Sequence, residues 1–517
     1  MGGEQSAPDV IIAGAGPTGS MLAGELRLAG VRPLVLERRA QLREVPRAYG
    51  LGGQILDLLR YRGLLDRLTA ASTRPIHAAE QVGFGGVQVD FSALTDPPLR
   101  ALGLPQPQLE RVLAEHAREL GVEIRRGHEI VGVSQDDATA TAEVRGPDGP
   151  YRVTGRYLVG CDGAHSTVRE KAGISFPGTT CPEVNRLGQF PLPDSVRTLD
   201  NGDLDIPGVG RVPAGFTRND RGVFAAGRLT TSGLLVQTTE NETTAIDDDV
   251  PLTLTELRDS IRRVLGVALP FDEPIRLSRY QFQARQAENY RHGRILVAGD
   301  AAHQFPATGI GINAGMSDAV NLAWKLAADR HGWAPPGLLD TYHAERHLAG
   351  DRALLHSQAQ VALRRGDDPA ATALRDLFGE LVADEPTLRR LNALIAGADL
   401  RYPLPNRNDH PLTGRFAPDL ALHTDQGTGS LADLLRPARP VLLDLADRAD
   451  LREAAQGWRQ RVDIHTAKTE DRPADALLIR PDAHLAWAAQ IDEPAGTAAP
   501  ALRDALNCWF GLPSTVD

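Results

Sequence analysis

The sequence predicts an α/β fold in three parts: a parallel sheet wound by helices, a mainly antiparallel sheet inserted into it, and a smaller α/β unit at the C-terminal end. Three observations carry this expectation. A strand over 9–13, apolar from Val10 on, leads through Gly14-Ala15-Gly16-Pro17-Thr18-Gly19 into an Ala/Leu-rich helix, and a second strand over 31–36 ends on Glu37. Residues 175–290 lose helical periodicity and show short alternating runs. A loop rich in Pro, Asn and Asp over 399–419 precedes a final stretch that reads strand, helix, strand, helix, strand, strand, strand, helix.

Taken in order, the first strand, glycine turn, helix, second strand and acidic residue make the dinucleotide-binding fingerprint in its required context. Gly14 allows the tight turn, Gly16 lets the backbone approach a pyrophosphate, and Gly19 lets the helix pack on the strand. Glu37 is placed to take adenosine ribose hydroxyls. The motif does not by itself choose between NAD and FAD. Arg47-Ala48-Tyr49 precedes a helix over about 54–59, and Pro105-Gln106-Pro107 opens one running to about 120. Runs over 122–133, 141–144 and 151–159 read as strands, the last leading into Gly160-Cys161-Asp162-Gly163-Ala164-His165-Ser166. In the alternating segment, 222–229 and 234–239 read as strands and 254–265 as a helix. Such a sheet can wall a substrate cavity, with Arg211 and Arg228 as candidate cations, although surface exposure suits each of them better.

The run over 295–298 is one buried strand, ended by Gly299-Asp300. A carboxylate there suits ribose or ribityl hydroxyls, at the usual ligand end of an α/β strand. A helix follows from near Asn313, a possible N-cap, and its start offers free N–H groups and a positive dipole end. Residues 338–395 are helical with breaks at 366–369 and 384–386. In the last unit the clearest strands are 440–445, 462–466, 476–480 and 485–489, closed by a helix over 500–510.

With 517 residues the chain has room for two or three domains. Its net charge of −11 argues against nucleic acid or an anionic membrane as partner. Cys161, Cys181 and Cys508 have neither metal nor disulfide spacing, which points to a reducing cytoplasm and to no metal site. No run has a secretory pattern or transmembrane length.

The string from Arg294 to Leu326, with Gly-Asp at 299–300 and Gly-Ile-Asn at 311–313, resembles the second flavin motif of the class A FAD-dependent monooxygenases, which include aromatic hydroxylases. The Arg47-Ala48 pair and the Asp162-Gly163 string resemble two further motifs of that family. The C-terminal pattern, with Arg480-Pro-Asp before Ala486-Trp487 and no CxxC, looks like the thioredoxin-like appendage of its aromatic polyketide hydroxylase branch. The resemblance implies a Rossmann-type FAD-binding domain (GR2-like) over 1–174 and 291–398, an inserted substrate sheet over 175–290, a linker over 399–419 and a thioredoxin-like domain over 420–517. It implies FAD as cofactor, NADPH or NADH as transient reductant and O2 as co-substrate, acting through a C4a-hydroperoxide.

The resemblance also implies roles for single residues. Asp300 holds the ribityl chain, Pro306 lies near the reactive face, and the Gly311–Asn313 amides face the pyrimidine end. Arg47 assists reduction, Gln106 lies near the ribityl chain and Asp162 near the pyrophosphate. Pro17, Thr18, Arg38, Gly309 and Ile312 complete the expected cofactor set, and Tyr49 joins the substrate candidates. Thr308 and Ile310 stand where the family has Gly and Gln, and Gln54 where it has Arg. The implied activity is hydroxylation of a polycyclic aromatic substrate by a monomer or homodimer. Baeyer–Villiger, epoxidising or antibiotic-inactivating oxygenation of the same fold remain open, as does a non-catalytic flavin or ligand-binding scaffold.

Overall fold

The computed structural model describes residues 7–199, 203–213, 215–230, 233–241, 250–271, 273–306, 309–366, 368–405, 409–424 and 427–514. Strand Val10–Ala13 lies inside a six-stranded sheet, parallel to Tyr157–Gly160 on one side and to Pro33–Glu37 on the other. Ile295–Val297 and Glu123–Arg126 extend it in parallel, and Arg291–His292 adds an antiparallel edge. These strands are apolar on both faces because both faces are covered. Val10, Ile12 and Val35 pack on helices Pro17–Leu28 and Gly311–Arg330, while Ile11, Ala13 and Leu36 pack on a three-stranded antiparallel sheet.

That covering sheet corrects two sequence readings. The run over 151–159 is two strands, Gly149–Gly155 in the covering sheet and Tyr157–Gly160 in the parallel sheet. The chain turns between them where the Arg156 and Tyr157 amides both donate to the Asp9 carbonyl. The run over 122–133 also divides, into Glu123–Arg126 and Glu129–Gln135, at Gly127 with φ of 77°. Two helices start earlier than expected. Gly311–Arg330 begins ahead of Asn313, with Ile310 at the cap position, so Asn313 is not the N-cap. The closing helix is Ala495–Phe510 and carries Pro500 inside it.

The second sheet is built on Gly178–Pro191, antiparallel to Gly233–Asn241 and to Arg276–Gln286. Gly222–Thr230 and Gly215–Asn219 continue it outward, and His303–Gln304 joins the far edge. One face packs on helix Leu254–Leu265 through Phe190, Phe224, Leu234, Val236, Leu257 and Ile261. The other face turns toward residues 46–49. There Arg276 Nη1 donates to the Pro46 carbonyl (2.8 Å) and Gln189 Nε2 to the Tyr49 hydroxyl (2.5 Å).

At the C-terminal end, Val441–Asp444 pairs in parallel with Asp463–Thr466 and antiparallel with Ala476–Ile479, which pairs with Leu485–Ala488. With helices Ala449–Ala455 and Ala495–Phe510 this is the thioredoxin-like arrangement. The loop expected as a linker is packed where it is described. Tyr402 is buried and stacks on His484 at 4.2 Å, and Phe416 bridges to His484.

A buried ionic cluster joins this unit to the rest. Arg480 Nη1 and Nη2 donate to the two Glu345 carboxylate oxygens (2.6 and 2.7 Å), and Arg480 also pairs with Asp482 (2.5 Å). Lys325 Nζ donates to Glu345 (2.8 Å), and Asn321 Nδ2 bridges Glu345 and Asp482. The Arg480 guanidinium lies 4.5 Å from the Trp509 ring centroid. The neighbouring cations hold the Glu345 carboxyl down at about 2, against the opposing effect of burial, while burial lowers Lys325 to about 8. Removing one partner from such a site leaves a charge stranded away from water.

Arg480→Met should therefore cost about 3–5 kcal/mol in chemical denaturation. Glu345 titrates near 4.5 when unfolded and near 2 when folded, so its contribution is complete above 4.5 and is lost as pH falls toward 2. Thermal melts from neutral to acid pH should show this loss, and it should shrink in Arg480→Met, where the cation that holds Glu345 ionised is gone and its folded and unfolded pKa values draw together.

Candidate active site

A cavity of about 630 Å³ lies at the C-terminal ends of Val10–Ala13, Pro33–Glu37 and Tyr157–Gly160. Its far side is closed by Gln281, Phe282 and Gln283 of the antiparallel sheet and by Gln304 and Phe305. The glycine turn forms its floor. Gly14 has φ of 97°, and a Cβ there would sit 2.5 Å from the Cys161 carbonyl oxygen. A Cβ at Gly19 would sit 2.0 Å from the Gly14 carbonyl oxygen, so helix and turn close on each other only through glycine. A Cβ at Gly16 would meet nothing within 4 Å. No protein neighbour requires glycine there, and the room it leaves opens on the cavity.

The polar groups of the wall divide into engaged and unengaged. Glu37 accepts from the Ala15 and Arg39 amides (2.8 Å each), which fixes its carboxylate and leaves further lone pairs. Gln106 Nε2 donates to Glu110 (2.7 Å), whose carboxyl burial pushes up. The Asp162 carboxylate turns to its own loop, where it accepts from Ser166 Oγ (2.5 Å) and the Val168 amide (3.1 Å). It thus caps the helix that follows rather than projecting as a free acceptor.

Asp300 differs: its carboxylate has no hydrogen-bond partner among the described residues. It is open to the cavity yet enclosed by protein, and this enclosure raises its pKa against the pull of His303 and Arg47. Asn313 Nδ2 donates to the Gly52 carbonyl (3.0 Å), while its Oδ1 is buried and unpartnered.

Cations crowd the rim. Burial and the neighbouring Arg47 and Arg39 lower Arg43 to about 10. Arg47 is lowered by burial and by Arg276 and Arg39. Arg38 and Arg126 also line the cavity. An arginine rim with mutual repulsion fits a diphosphate, and an unpartnered carboxylate fits a polyol. The helix Gly311–Arg330 presents its first-turn amides through Gly311 and Ile312. The residues present therefore fit a flavin dinucleotide.

The loop bearing Asp300 is held from behind. Fully buried Asp318 accepts from the Gly299 amide (2.9 Å), His303 Nε2 (2.7 Å) and Arg346 Nε (2.6 Å). These donors keep its carboxyl below the usual range despite burial. Arg169 donates to the Ala301 and Ala164 carbonyls and lies 3.8 Å from the Phe176 ring centroid, stapling the Asp162 and Asp300 loops together.

Of the expected cofactor set, Gly14, Gly16, Pro17, Thr18, Glu37, Arg38, Arg47, Gln106, Asp162, Asp300, Gly309, Gly311 and Ile312 line the cavity. Pro306 does not; it is buried beneath the wall, which Phe305 and Gly309 supply. Of the substrate candidates, Tyr49 is bound to Gln189 outside the cavity lining, and Arg211 is largely exposed and paired with Asp203. The Arg228 side chain lies outside the described residues. Sequence reasoning missed Arg39, Arg43, Arg126 and the Gln281–Gln283 wall, which belong to no motif. Alternation over 280–283 is the one signal that marks that strand. No group of His, Cys, Asp and Glu among the described residues is arranged to hold a metal, and no helix among them is long and apolar enough to cross a membrane.

Asp300→Ala removes the free acceptor. It should weaken FAD binding by about 1.5–3 kcal/mol, read as a shift in the flavin fluorescence titration of the apoprotein.

Residues 7–357 match the FAD-binding-domain family and residues 410–513 the aromatic-ring hydroxylase C-terminal family. The chain is 40% identical over 515 residues, 98% of its length and 99% of the relative's, to the 12-dehydrotetracycline 5-monooxygenase/anhydrotetracycline 6-monooxygenase of Streptomyces rimosus subsp. rimosus. It is 38% identical to the rifampicin monooxygenase of Streptomyces venezuelae, across 97% of this chain and 98% of that one. The solved structure of an anhydrotetracycline hydroxylase from Streptomyces rimosus superposes with a TM-score of 0.86 at 40% identity, covering 98% of this chain and 100% of that one. A dinucleotide cavity built on the glycine fingerprint, a sheet closing its far side and a thioredoxin-like unit keyed into the core thus occur together in a chain that belongs to the FAD-dependent aromatic-ring hydroxylases, monooxygenases that use NAD(P)H and O2.

Proposed function

We propose that this monooxygenase hydroxylates a polycyclic phenol of the aromatic polyketide type. The observation that carries the reading is the polar sheet face turned toward residues 46–49, which meets the cavity wall where Tyr280 packs on Phe282. Asn185 accepts from Gln237 Nε2 (3.0 Å) and Thr239 Oγ1 (2.8 Å), Tyr280 donates to Gln237 Oε1 (3.2 Å), and Gln189 meets Tyr49. Amides and hydroxyls in rows across neighbouring strands suit a flat ligand edged with keto and hydroxyl oxygens. The tetracycline-type substrates named for two relatives are of that kind.

FAD, when bound, supplies the two-electron chemistry that links NAD(P)H to dioxygen. The chain's own residues bind and orient. Arg38, Arg39, Arg43 and Arg126 offset the diphosphate charge, Glu37 and Asp300 accept sugar and ribityl hydroxyls, and the Gly311 and Ile312 amides donate at the helix start. Phe282 and Phe305 give apolar surface that excludes water from the reacting oxygen. Arg47, close enough to feel the Asp300 charge, would offset negative charge on the flavin.

The rifampicin monooxygenase relative favours a second reading, inactivation of a polycyclic antibiotic by the same oxygenation. Under labelled dioxygen, a polycyclic phenol incubated with the protein and NADPH should gain one labelled oxygen as a new ring hydroxyl. Label entering from water, or a ring-expanded lactone, defeats the hydroxylase reading; conversion confined to rifamycin-type compounds selects the second. Arg47→Ala should slow anaerobic bleaching of the flavin band by NADPH roughly tenfold, the equivalent of one charged contact. Equal rates at equal FAD content would remove Arg47 from this role.

A further inference from the structure

Arg364 is the last residue of helix Thr341–Arg364 and is 8% exposed. Its guanidinium lies 4.8 Å from the ring centroid of Phe282, a residue of the cavity wall. Phe282 in turn meets Tyr280 edge-on at 5.5 Å. The Arg364 side chain has no hydrogen bond and no carboxylate partner among the described residues. The nearby carboxylate, Glu183, is held by both arms of Arg365, one of them at 2.9 Å. Glu183 acts on Arg364 only through its charge, which Arg365 already pairs, and the other groups that face Arg364 supply no counter-charge. Cys181 is a buried thiol whose pKa burial raises, and the Tyr280 phenol, raised likewise, donates to Gln237. Arg218 and Arg375 add positive charge while donating to backbone carbonyls around the end of this helix.

A largely buried guanidinium without an acceptor is costly, since most of its hydration is given up and no protein acceptor replaces it. Neighbouring arginines make the position more unfavourable still, and burial lowers the Arg364 pKa. The aromatic face of Phe282 offsets part of this cost but cannot accept from the guanidinium edge.

We propose that Arg364 is the anion-binding residue of the substrate region, taking an ionised oxygen of the substrate, a phenolate or the enolate of a β-dicarbonyl, while Phe282 offers its ring face. This rests on the polycyclic phenol reading above and assigns the residue that selects for it. The substrate binds as its anion, and its proton is released to solvent. The ring is thereby made electron-rich for oxygen transfer without a protein general base.

The test uses the FAD-loaded protein, with alizarin as a polycyclic phenol whose anion absorbs at longer wavelength, and anthraquinone as a control lacking the hydroxyls. The wild type should bind alizarin as the anion at a pH where free alizarin is largely neutral. Arg364→Gln, at unchanged FAD content, should weaken alizarin binding about 10- to 100-fold and bind it without the anion spectrum. Arg364→Lys should restore part of both, and anthraquinone affinity should be the same in all three proteins. Equal alizarin affinity and spectra in wild type and Arg364→Gln overturn the assignment while leaving the phenol reading standing. So does a variant that loses NADPH saturation and keeps alizarin, which gives the cation to the dinucleotide. A wild type that binds no polycyclic phenol at all defeats both.

Discussion

The loop that carries Asp300 hangs on one buried carboxylate, Asp318. It is surrounded by three donors from three segments: the Gly299 amide, the His303 ring and the Arg346 guanidinium. In a low-dielectric interior such charge-assisted bonds are short, and losing any of them leaves an unmet charge. The Gly299 bond sets the turn after strand Ile295–Val297 and hence the position of Asp300. The Arg346 bond runs on through the Tyr402 hydroxyl (2.7 Å), and Tyr402 stacks on His484 of the C-terminal unit. The loop that faces the ligand is thereby fastened to the domain farthest from it in sequence.

The same logic explains why the cavity's own carboxylate is left unmet. Asp318 is fully buried and is lowered by its donors, whereas Asp300, open to the cavity, is raised by the protein that surrounds it, with no donor to oppose this. Within the protein alone Asp300 is frustrated, and a ligand bearing hydroxyls relieves it. Arg364 stands in the mirror situation, a cation enclosed without an acceptor. A cavity carboxylate without a donor and, beside the Phe282 wall, a cation without an acceptor are a stronger functional signature than the shape of the cavity alone.

The fold was legible wherever meaning is local. The glycine turn, Glu37 at the end of its strand, the Gly-Asp turn before a long helix, and the helix over Leu254–Leu265 each depend on residues within one element or its neighbour. Strand runs that change sheets read as continuous in the sequence; the run over 122–133 breaks at a left-handed glycine of its own, Gly127, whereas the corner at Arg156 is set by hydrogen bonds to Asp9. Asn313 was read as a cap from residue type alone, whereas its amide is used by Gly52, some 260 residues earlier. The arginine rim, the Arg480–Glu345 pair at a separation of 135 residues, and the lone Arg364 follow no spacing rule. A sequence shows that an arginine exists but not whether a carboxylate meets it.

The Arg480 cluster bears on how such proteins can be recombined. A C-terminal unit of this kind looks separable, with its own four-stranded sheet and closing helix. Yet Arg480 and Asp482 carry half of a lock whose other half, Lys325, Glu345 and Asn321, lies in the helices behind the cofactor loops. Exchange of the unit between homologues is therefore a charge-matching problem before it is a matter of shape. A donor unit with a neutral residue in place of Arg480 brings an uncompensated Glu345 into the graft, and compatible partners are those in which both halves travel together.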